Sequence, residues 1–238
     1  MKVFAMIPAR SGSKGLPHKN IKLAGGVPLI GHAVSFAKKL GVDRVVVATD
    51  SEEYIRVAAP FYDGLFWHHE SGHAASDTSM EEVLIGDYVD QCHEVPDIWV
   101  WLKPTSPFRR IADVKCGIAE LANNPYVDSV RLVSEADARL QYVDELGWLS
   151  WMGLCAYFGR SKMRRTDVKQ VYKPFNLEIF RHAWWQQCPK LFMGTRIRPI
   201  VCPKITGIDI DGQDDLDLVD LIMSANPRPE WLDPYVHV

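Results

Sequence analysis

The hydrophobic positions of the chain form short apolar runs that alternate with longer segments of helical period. Residues 3–7 (VFAMI) and 44–48 (RVVVA) are mostly apolar runs that predict buried strands, whereas residues 28–40 carry apolar side chains at helical spacing. Similar patterns predict helices at 79–92 and 111–121 and strands at 97–102 and 127–133. This alternation predicts an α/β fold with a parallel, doubly wound sheet.

The alternation stops between residues 134 and 173. This stretch contains tryptophan and arginine without a regular period, and we interpret it as an insertion that acts as an interaction arm. Beyond it, strands are predicted at 175–180 and 199–202, followed by a helix at 214–223. The proline-rich tail from Pro227 is expected to wrap the surface.

Composition excludes several classes of protein. A chain of 238 residues that is 47% hydrophobic suits one domain with a small appendage. Its apolar runs are too short for a membrane span and its start is unlike a secretory leader, so we expect no membrane partner and a cytoplasmic location. The five cysteines are widely spaced and odd in number, which disfavours a disulfide framework. A net charge of −3 without a basic block disfavours a nucleic-acid partner.

Glycine and basic residues are concentrated in residues 9–20 (ARSGSKGLPHKN), which follow the first predicted strand and are called the basic loop here. Gly12 and Gly15 permit close approach of the backbone to an anion. The basic side chains that can neutralise a polyphosphate are Arg10, Lys14 and Lys19. The P-loop and dinucleotide-binding patterns are both absent from this loop, and a solvated basic turn is the alternative interpretation.

Acidic and apolar residues alternate in residues 207–211 (GIDID), called the acidic loop here. At a period of two, Asp209 and Asp211 project to one face while the isoleucines pack on the other. Two carboxylates on one face suit Mg²⁺, which takes one or two carboxylates together with phosphate oxygens. The alternative is an acidic turn that caps the next helix, a role also expected of Asp214 and Asp215.

A third polar segment, residues 103–109 (KPTSPFR), follows the strand predicted at 97–102 and is called the central loop here. In an open α/β sheet, ligands bind beyond the carboxyl ends of the strands, so the three loops are expected to face one crevice. A proline-bounded turn with ordinary caps is the alternative for the central loop.

Together these segments resemble the acylneuraminate (CMP-sialic acid) and CMP-Kdo cytidylyltransferase family. The family's first loop is similar to IPARSGSKGLPHKN at residues 7–20, which precedes a family-like PLIGHAV. The other matching segments, in the expected order over nearly the whole chain, are VVVATD, ASDTS at 75–79, KPTSPFR at 103–109 and GIDIDGQDDLDL at 207–218.

The resemblance implies a fold, an assembly and a reaction. The fold would be a Rossmann-like three-layer sandwich of the nucleotide-diphospho-sugar transferase type, with a mostly parallel sheet. Residues 1–133 and 174–238 would form the nucleotide-binding catalytic domain, and residues 134–173 an inserted element for dimerisation and acceptor contact. The implied enzyme is a homodimer that couples CTP to a sialic-acid-like 3-deoxy-ulosonic acid, releases pyrophosphate and serves surface polysaccharide biosynthesis.

The family's functional residues are carried over position by position. The nucleotide-binding set implied is Ala9, Arg10, Ser11, Gly12, Lys14, Lys19, Asn20, Asp77 and Thr78. Acceptor binding is implied for Lys103, Thr105, Ser106, Arg164 and Arg165. Asp209 and Asp211 would hold Mg²⁺, and Arg10, Lys19 and Asp211 would be catalytic, with Asp211 or metal-bound hydroxide as the base.

Departures from the family pattern lie where the acceptor is recognised. Lys103 replaces the usual Gln and is assigned to the acceptor's carboxylate, and residues 138–142 read ARLQY in place of H-P-x-K. Alternative acceptors are therefore Kdo, an amino-Kdo or a phosphonate acid, and a non-catalytic nucleotide-binding protein is a further alternative. His68, His69 and His73 are assigned a structural or solvated role rather than a zinc site.

Overall fold

The strands and helices of the computed structural model follow the predicted alternation. It describes residues 1–62, 64–68, 81–136, 141–143, 145–151, 170–188 and 193–238. The strands are β1 Val3–Pro8, β2 Leu23–Ala24, β3 Val27–Pro28, β4 Arg44–Thr49, β5 Leu65–His68, β6 Ile98–Leu102, β7 Ser129–Ala136, β8 Gln141–Val143, β9 Leu149–Trp151, β10 Val171–Arg181 and β11 Ile197–Cys202. The α-helices are α1 Leu29–Leu40, α2 Glu52–Ala58, α3 Glu81–Cys92, α4 Ile111–Asn123, α5 His182–Gln187 and α6 Gln213–Met223.

Seven of the described strands form one sheet in the order β11-β7-β10-β6-β1-β4-β5. All neighbouring pairs in it are parallel except those of β10, which runs antiparallel to both β6 and β7. The prediction of an α/β fold with a mostly parallel sheet is confirmed. The antiparallel direction of β10 was not predicted.

Helices cover both faces of the sheet, which makes three layers. Helices α1, α2 and α4 pack against one face, and α3 and α5 pack against an aromatic cluster on the other. Strands β1, β4 and β6 are buried on both faces, which is why their sequences are continuous apolar runs rather than alternating ones.

A third cluster joins the loops beyond the sheet to the C-terminal segment. Buried Leu16 of the basic loop, Phe108 of the central loop and Ile210 of the acidic loop all belong to it. Leu232 and Tyr235, from a 3-10 helix at Glu230–Tyr235, complete it. The tail therefore contributes buried side chains to the core as well as covering the surface, and it anchors all three loops on one apolar cluster.

The ends of the predicted 134–173 insertion belong to the central sheet. Residues 134–136 extend β7, residues 171–173 begin β10, and the two stretches pair with each other. This pairing narrows the segment that leaves the sheet to residues 137–170, whose described part includes the β8–β9 hairpin. Its role in dimerisation stays a prediction.

Candidate active site

The basic loop begins at the carboxyl end of β1. Hydrogen bonds attach its first residues to β4 and to Asp50, which follows β4. The backbone N–H of Ala9 donates to the carbonyl of Ala48 at 2.8 Å. Ser11 donates its backbone N–H and its hydroxyl to the carboxylate of Asp50, at 2.7 and 3.1 Å. The side chain of Ser11, an expected nucleotide ligand, thus fixes the start of the loop.

The loop closes through Asn20. Its side-chain amide donates to the carbonyl of Arg10 at 3.0 Å, and the residue is buried. A 3-10 turn at Lys19–Ile21 is entered through His18, whose φ of 56° lies in the left-handed region. Asn20, the residue expected to contact cytidine, therefore holds the two ends of the basic loop together.

The basic and acidic loops touch, although 191 positions separate Lys19 from Ile210. The Lys19 amino group donates to the Ile210 carbonyl at 2.7 Å and lies 3.4 Å from Oδ1 of Asp211. At Gly15 the two backbones approach so closely that an added Cβ would lie 2.8 Å from the Asp211 carbonyl oxygen. The Lys19 ammonium group thus lies beside the Asp211 carboxylate, and these two groups were expected at one site.

Ile208 and Ile210 of the acidic loop pack on the third apolar cluster as predicted, but the segment is an extended loop rather than a strand. Ile210 is fully buried, whereas Asp209 is partly exposed and the Asp211 side chain is 82% exposed. The Ile210 N–H donates to the Thr105 carbonyl at 2.9 Å, and the Ser106 hydroxyl donates to Oδ1 of Asp209 at 3.1 Å. The central loop therefore holds the acidic loop in place through these two hydrogen bonds.

These hydrogen bonds give Thr105 and Ser106, the two hydroxyl residues of the central loop, a structural role. Ser106 is fully buried and Thr105 is 9% exposed. Ser106 commits its hydroxyl to Asp209, and Thr105 commits its carbonyl to Ile210. Both residues position the acidic loop, and their contact with an acceptor stays a prediction.

Asp215 fixes the junction between the acidic loop and α6. Its Oδ2 accepts the backbone N–H groups of Asp211 and Gly212, both at 3.0 Å, which confirms the predicted cap. These two hydrogen bonds, helped by the charges of Lys173 and Lys19, lower the pKa of the Asp215 carboxyl.

Replacing Asp215 by Ala should lower the free energy of unfolding at neutral pH by about 1 kcal/mol. Because the folded-state pKa is lowered, the contribution is fully present above the ordinary aspartate pKa of about 3.9 and disappears as pH falls through the folded-state value. Urea unfolding of both proteins between pH 7 and 3 should show the difference shrinking in acid. A difference that stayed constant with pH would contradict a charged cap.

Arg109, the last residue of the central loop, belongs to the site although its sequence position predicted no role for it. It is fully buried, and burial lowers its pKa to about 9, partly offset by the charge of Asp209. Its guanidinium donates to the Lys103 carbonyl, and its own carbonyl accepts a hydrogen bond from His237 Nε2 at 2.7 Å. The available signal was an arginine pair, Arg109 and Arg110, at the end of a proline-bounded loop.

A family model described as cytidylyltransferase matches residues 4–146, which is more than half of the chain. The chain belongs to the cytidylyltransferase family. It is therefore a nucleotidyltransferase, as the resemblance implied.

Two curated relatives illustrate the range of this cytidylyltransferase's similarity. CMP-N,N'-diacetyllegionaminic acid synthase of Legionella pneumophila is 37% identical over 236 residues, covering 95% of this chain and 98% of that protein. N-acylneuraminate cytidylyltransferase of Escherichia coli is 26% identical, covering 100% of this chain and 55% of that protein. The chain thus spans about half the length of the N-acylneuraminate relatives and nearly all of the Legionella protein.

A solved structure confirms the fold. CMP:2-keto-3-deoxy-manno-octonic acid synthetase, in complex with CTP, superimposes with a TM-score of 0.71 at 20% identity. The match covers 94% of the cytidylyltransferase chain and 99% of the solved one. At this identity the match speaks for the architecture alone.

The two carboxylates of the acidic loop are oxygen donors of the kind that Mg²⁺ takes. Among the described residues, three or more His, Cys, Asp or Glu side chains nowhere gather into a group that could hold a metal. Asp209 and Asp211 instead offer two hard oxygen donors, the number that Mg²⁺ takes when substrate phosphates complete its shell.

Several expected site residues lie outside the described part of the cytidylyltransferase. These are Asp77, Thr78, Arg164 and Arg165. His69 and His73, for which a structural or solvated role was expected, lie outside the described residues as well. His68 is the last residue of β5. In the described segments, none of the helices is both long and apolar enough to cross a membrane.

Proposed function

We propose that this cytidylyltransferase transfers CMP from CTP to a sialic-acid-like 3-deoxy-ulosonic acid and releases pyrophosphate. The observation that carries the proposal is the contact of the basic loop with the acidic loop through Lys19. It brings a cationic side chain for a polyphosphate within 3.4 Å of a carboxylate suited to a metal. The 37% identity with a CMP-diacetyllegionaminic acid synthase, over nearly the full length of both chains, supports a nonulosonic acid as the acceptor.

The reaction joins the anomeric hydroxyl of the acceptor to the α-phosphorus of CTP. A new oxygen–phosphorus bond forms, the bond between the α-phosphorus and the bridging oxygen breaks, and that oxygen leaves with pyrophosphate. The hydroxyl proton passes to a base, either Asp211 or a hydroxide ion. No covalent enzyme intermediate is needed, so the protein's contribution is positioning and neutralisation of charge.

The basic loop and the acidic loop have different roles in the proposed reaction. In the basic loop, Arg10, Lys14 and Lys19 neutralise the triphosphate, Gly12 offers its backbone N–H and Asn20 orients the cytidine. The N–H groups of Ala9 and Ser11 are bound to Ala48 and Asp50, so these two residues shape the loop around the nucleotide. In the acidic loop, Asp209 and Asp211 would hold Mg²⁺, which when bound supplies positive charge for the phosphate oxygens. The remaining proposed nucleotide ligands are Asp77 and Thr78, and Arg164 and Arg165 are proposed to contact the acceptor.

The proposal includes a homodimer formed through residues 134–173. The turn of the β8–β9 hairpin presents Leu146 and Trp148, which are 82% and 70% exposed. Large apolar side chains at such exposure suit a protein interface. Light scattering of the purified protein would measure the mass of the assembly directly. A monomer at micromolar concentration would contradict this part of the proposal.

Pyrophosphate release from CTP with Mg²⁺, measured over a panel of 3-deoxy-ulosonic acids, tests the function. The panel should include sialic, legionaminic and amino-Kdo acids and Kdo, with ATP, GTP and UTP as nucleotide controls. We expect release with CTP and a nonulosonic acid. Release with Kdo alone would redirect the acceptor assignment, CTP binding without release would indicate a non-catalytic protein, and no CTP binding would overturn the proposal.

Lys103 is proposed to pair with the acceptor's carboxylate, because it follows the carboxyl end of β6 and is partly exposed. Lys103→Ala should raise the KM for the acceptor by roughly 10-fold, the effect of losing one charge-assisted hydrogen bond. The KM for CTP should stay nearly unchanged. Lys38→Ala, on the exposed side of α1, removes the same charge away from the site and is the matched control. An unchanged acceptor KM in Lys103→Ala would remove this assignment.

A further inference from the structure

The side chain of Lys19 joins the basic loop to the acidic loop. Its amino group lies 2.7 Å from the carbonyl oxygen of Ile210 and 3.4 Å from Oδ1 of Asp211. The Lys19 side chain is 16% exposed, whereas that of Asp211 is 82% exposed. The ammonium group is thus largely withdrawn from water and rests on oxygens of the loop that carries both proposed metal ligands.

We propose that Lys19 is an internal counter-ion that occupies the cation position beside Asp211 until a divalent metal binds. An ammonium group and a metal ion seek the same oxygens and repel each other at short distance. Metal binding at Asp211 therefore requires Lys19 to leave that carboxylate, and its ammonium group then becomes available to the triphosphate. The inference rests on the proposed function, because it takes the acidic loop as the metal site.

The acidic loop is built to keep its shape when Lys19 leaves. The Ile210 N–H is bound to the Thr105 carbonyl, and Asp209 is bound by the Ser106 hydroxyl. The carboxylate of Asp215 holds the backbone N–H of Asp211. None of these contacts involves Lys19, so its movement changes the charge beside Asp211 without dismantling the loop.

This exchange couples the binding of the metal to the binding of the triphosphate. A metal that displaces Lys19 frees a cation for the triphosphate, and a triphosphate that attracts Lys19 vacates a carboxylate for the metal. Each ligand thereby favours the other, and the coupling is reciprocal by thermodynamic necessity. Without nucleotide, Lys19 competes with the metal and weakens its binding.

The test is Mn²⁺ binding to the nucleotide-free protein, followed by the electron paramagnetic resonance signal of free Mn²⁺. Lys19→Met removes the competing charge, and Lys19→Gln removes it while keeping a hydrogen-bond donor. Both variants should bind Mn²⁺ roughly 2- to 5-fold more tightly than the unmodified protein, as expected for loss of a partly exposed ion pair. Both should also show weaker binding of CTP.

Two further variants locate the effect. Lys22→Met removes a charge from an exposed position just after the basic loop, and it should leave Mn²⁺ affinity within roughly 1.5-fold, since solvent screens an exposed charge. Asp211→Asn should abolish the gain when combined with Lys19→Met. Circular dichroism and thermal unfolding confirm that each variant is folded.

The inference is overturned if Lys19→Met binds Mn²⁺ no more tightly than the unmodified protein, or if Lys22→Met gains as much. Absence of Mn²⁺ binding to every variant through the millimolar range would overturn it as well. Its failure is separable from that of the proposed function, which pyrophosphate release decides. Tighter Mn²⁺ binding in Lys19→Met, in a protein that released no pyrophosphate, would support the counter-ion and contradict the reaction.

Discussion

Replacing Asp211 by Asn is expected to lower the rate of pyrophosphate release by roughly 10²- to 10³-fold at saturating CTP and acceptor. The substitution removes one of two carboxylates that we assign to Mg²⁺, and it keeps an oxygen that can accept a hydrogen bond from Lys19. The Asp211 side chain is 82% exposed, so its replacement by a residue of similar size should leave stability nearly unchanged. The measurement is kcat for pyrophosphate release, with thermal unfolding in parallel.

Asp209→Asn should act in the same direction, and its remaining side-chain oxygen can still accept the bond from Ser106. Asp214→Asn is the matched control, because Asp214 is an exposed residue in the first turn of α6 and carries the same charge. Its kcat should lie within roughly three-fold of the unmodified value, since its charge is screened by solvent. Equal losses in all three variants would indicate a general effect of charge and would contradict a metal site at Asp209 and Asp211.

Replacing Gly15 by Ala is expected to disturb the site without altering any charge. The added Cβ would lie 2.8 Å from the carbonyl oxygen of Asp211, a backbone atom that cannot rotate away. The loops must separate, which should cost about 1–3 kcal/mol of stability, as overpacking does elsewhere. Because Asp211 moves with its carbonyl, kcat should fall roughly 10- to 100-fold.

Gly12→Ala isolates the steric origin of this effect. A Cβ at Gly12 would meet nothing within 4 Å. Neither Gly12 nor Gly15 has a positive φ, so Ala adds no backbone strain at either position. Thermal unfolding should therefore separate the two variants, with Gly12→Ala as stable as the unmodified protein or slightly more so. Equal stability of the two variants would show that the loops tolerate the wider spacing.

The strands and helices of the core could be predicted from the sequence because their buried positions are occupied by apolar residues. Strands β1 and β6 lie between two layers of helices, so nearly every side chain in them is apolar. The direction of β10 was not readable, because an apolar run reports burial and carries no information on which neighbour it pairs with. The short β2–β3 hairpin was missed because it has only two residues in each strand.

The site was predictable in its residues and only partly in its geometry. Position along the chain placed the three loops at the same edge of the sheet, and the contact of Lys19 with the acidic loop agrees with that placement. The bonds from Ser106 to Asp209 and from Ile210 to Thr105 join segments about a hundred residues apart, and local patterns do not encode them. The burial of Arg109 runs against the ordinary preference of arginine for the surface.

The antiparallel strand β10 has a consequence for how this enzyme can diversify. Because β10 runs opposite to both β6 and β7, the end of β7 at Ala136 and the start of β10 at Val171 lie at the same edge of the sheet as Pro8 and Leu102. Residues 137–170 therefore leave and rejoin the sheet at the end where we propose that the substrates bind. A change confined to that segment would alter the proposed acceptor contacts and leave the strand before the basic loop, β1, unaltered.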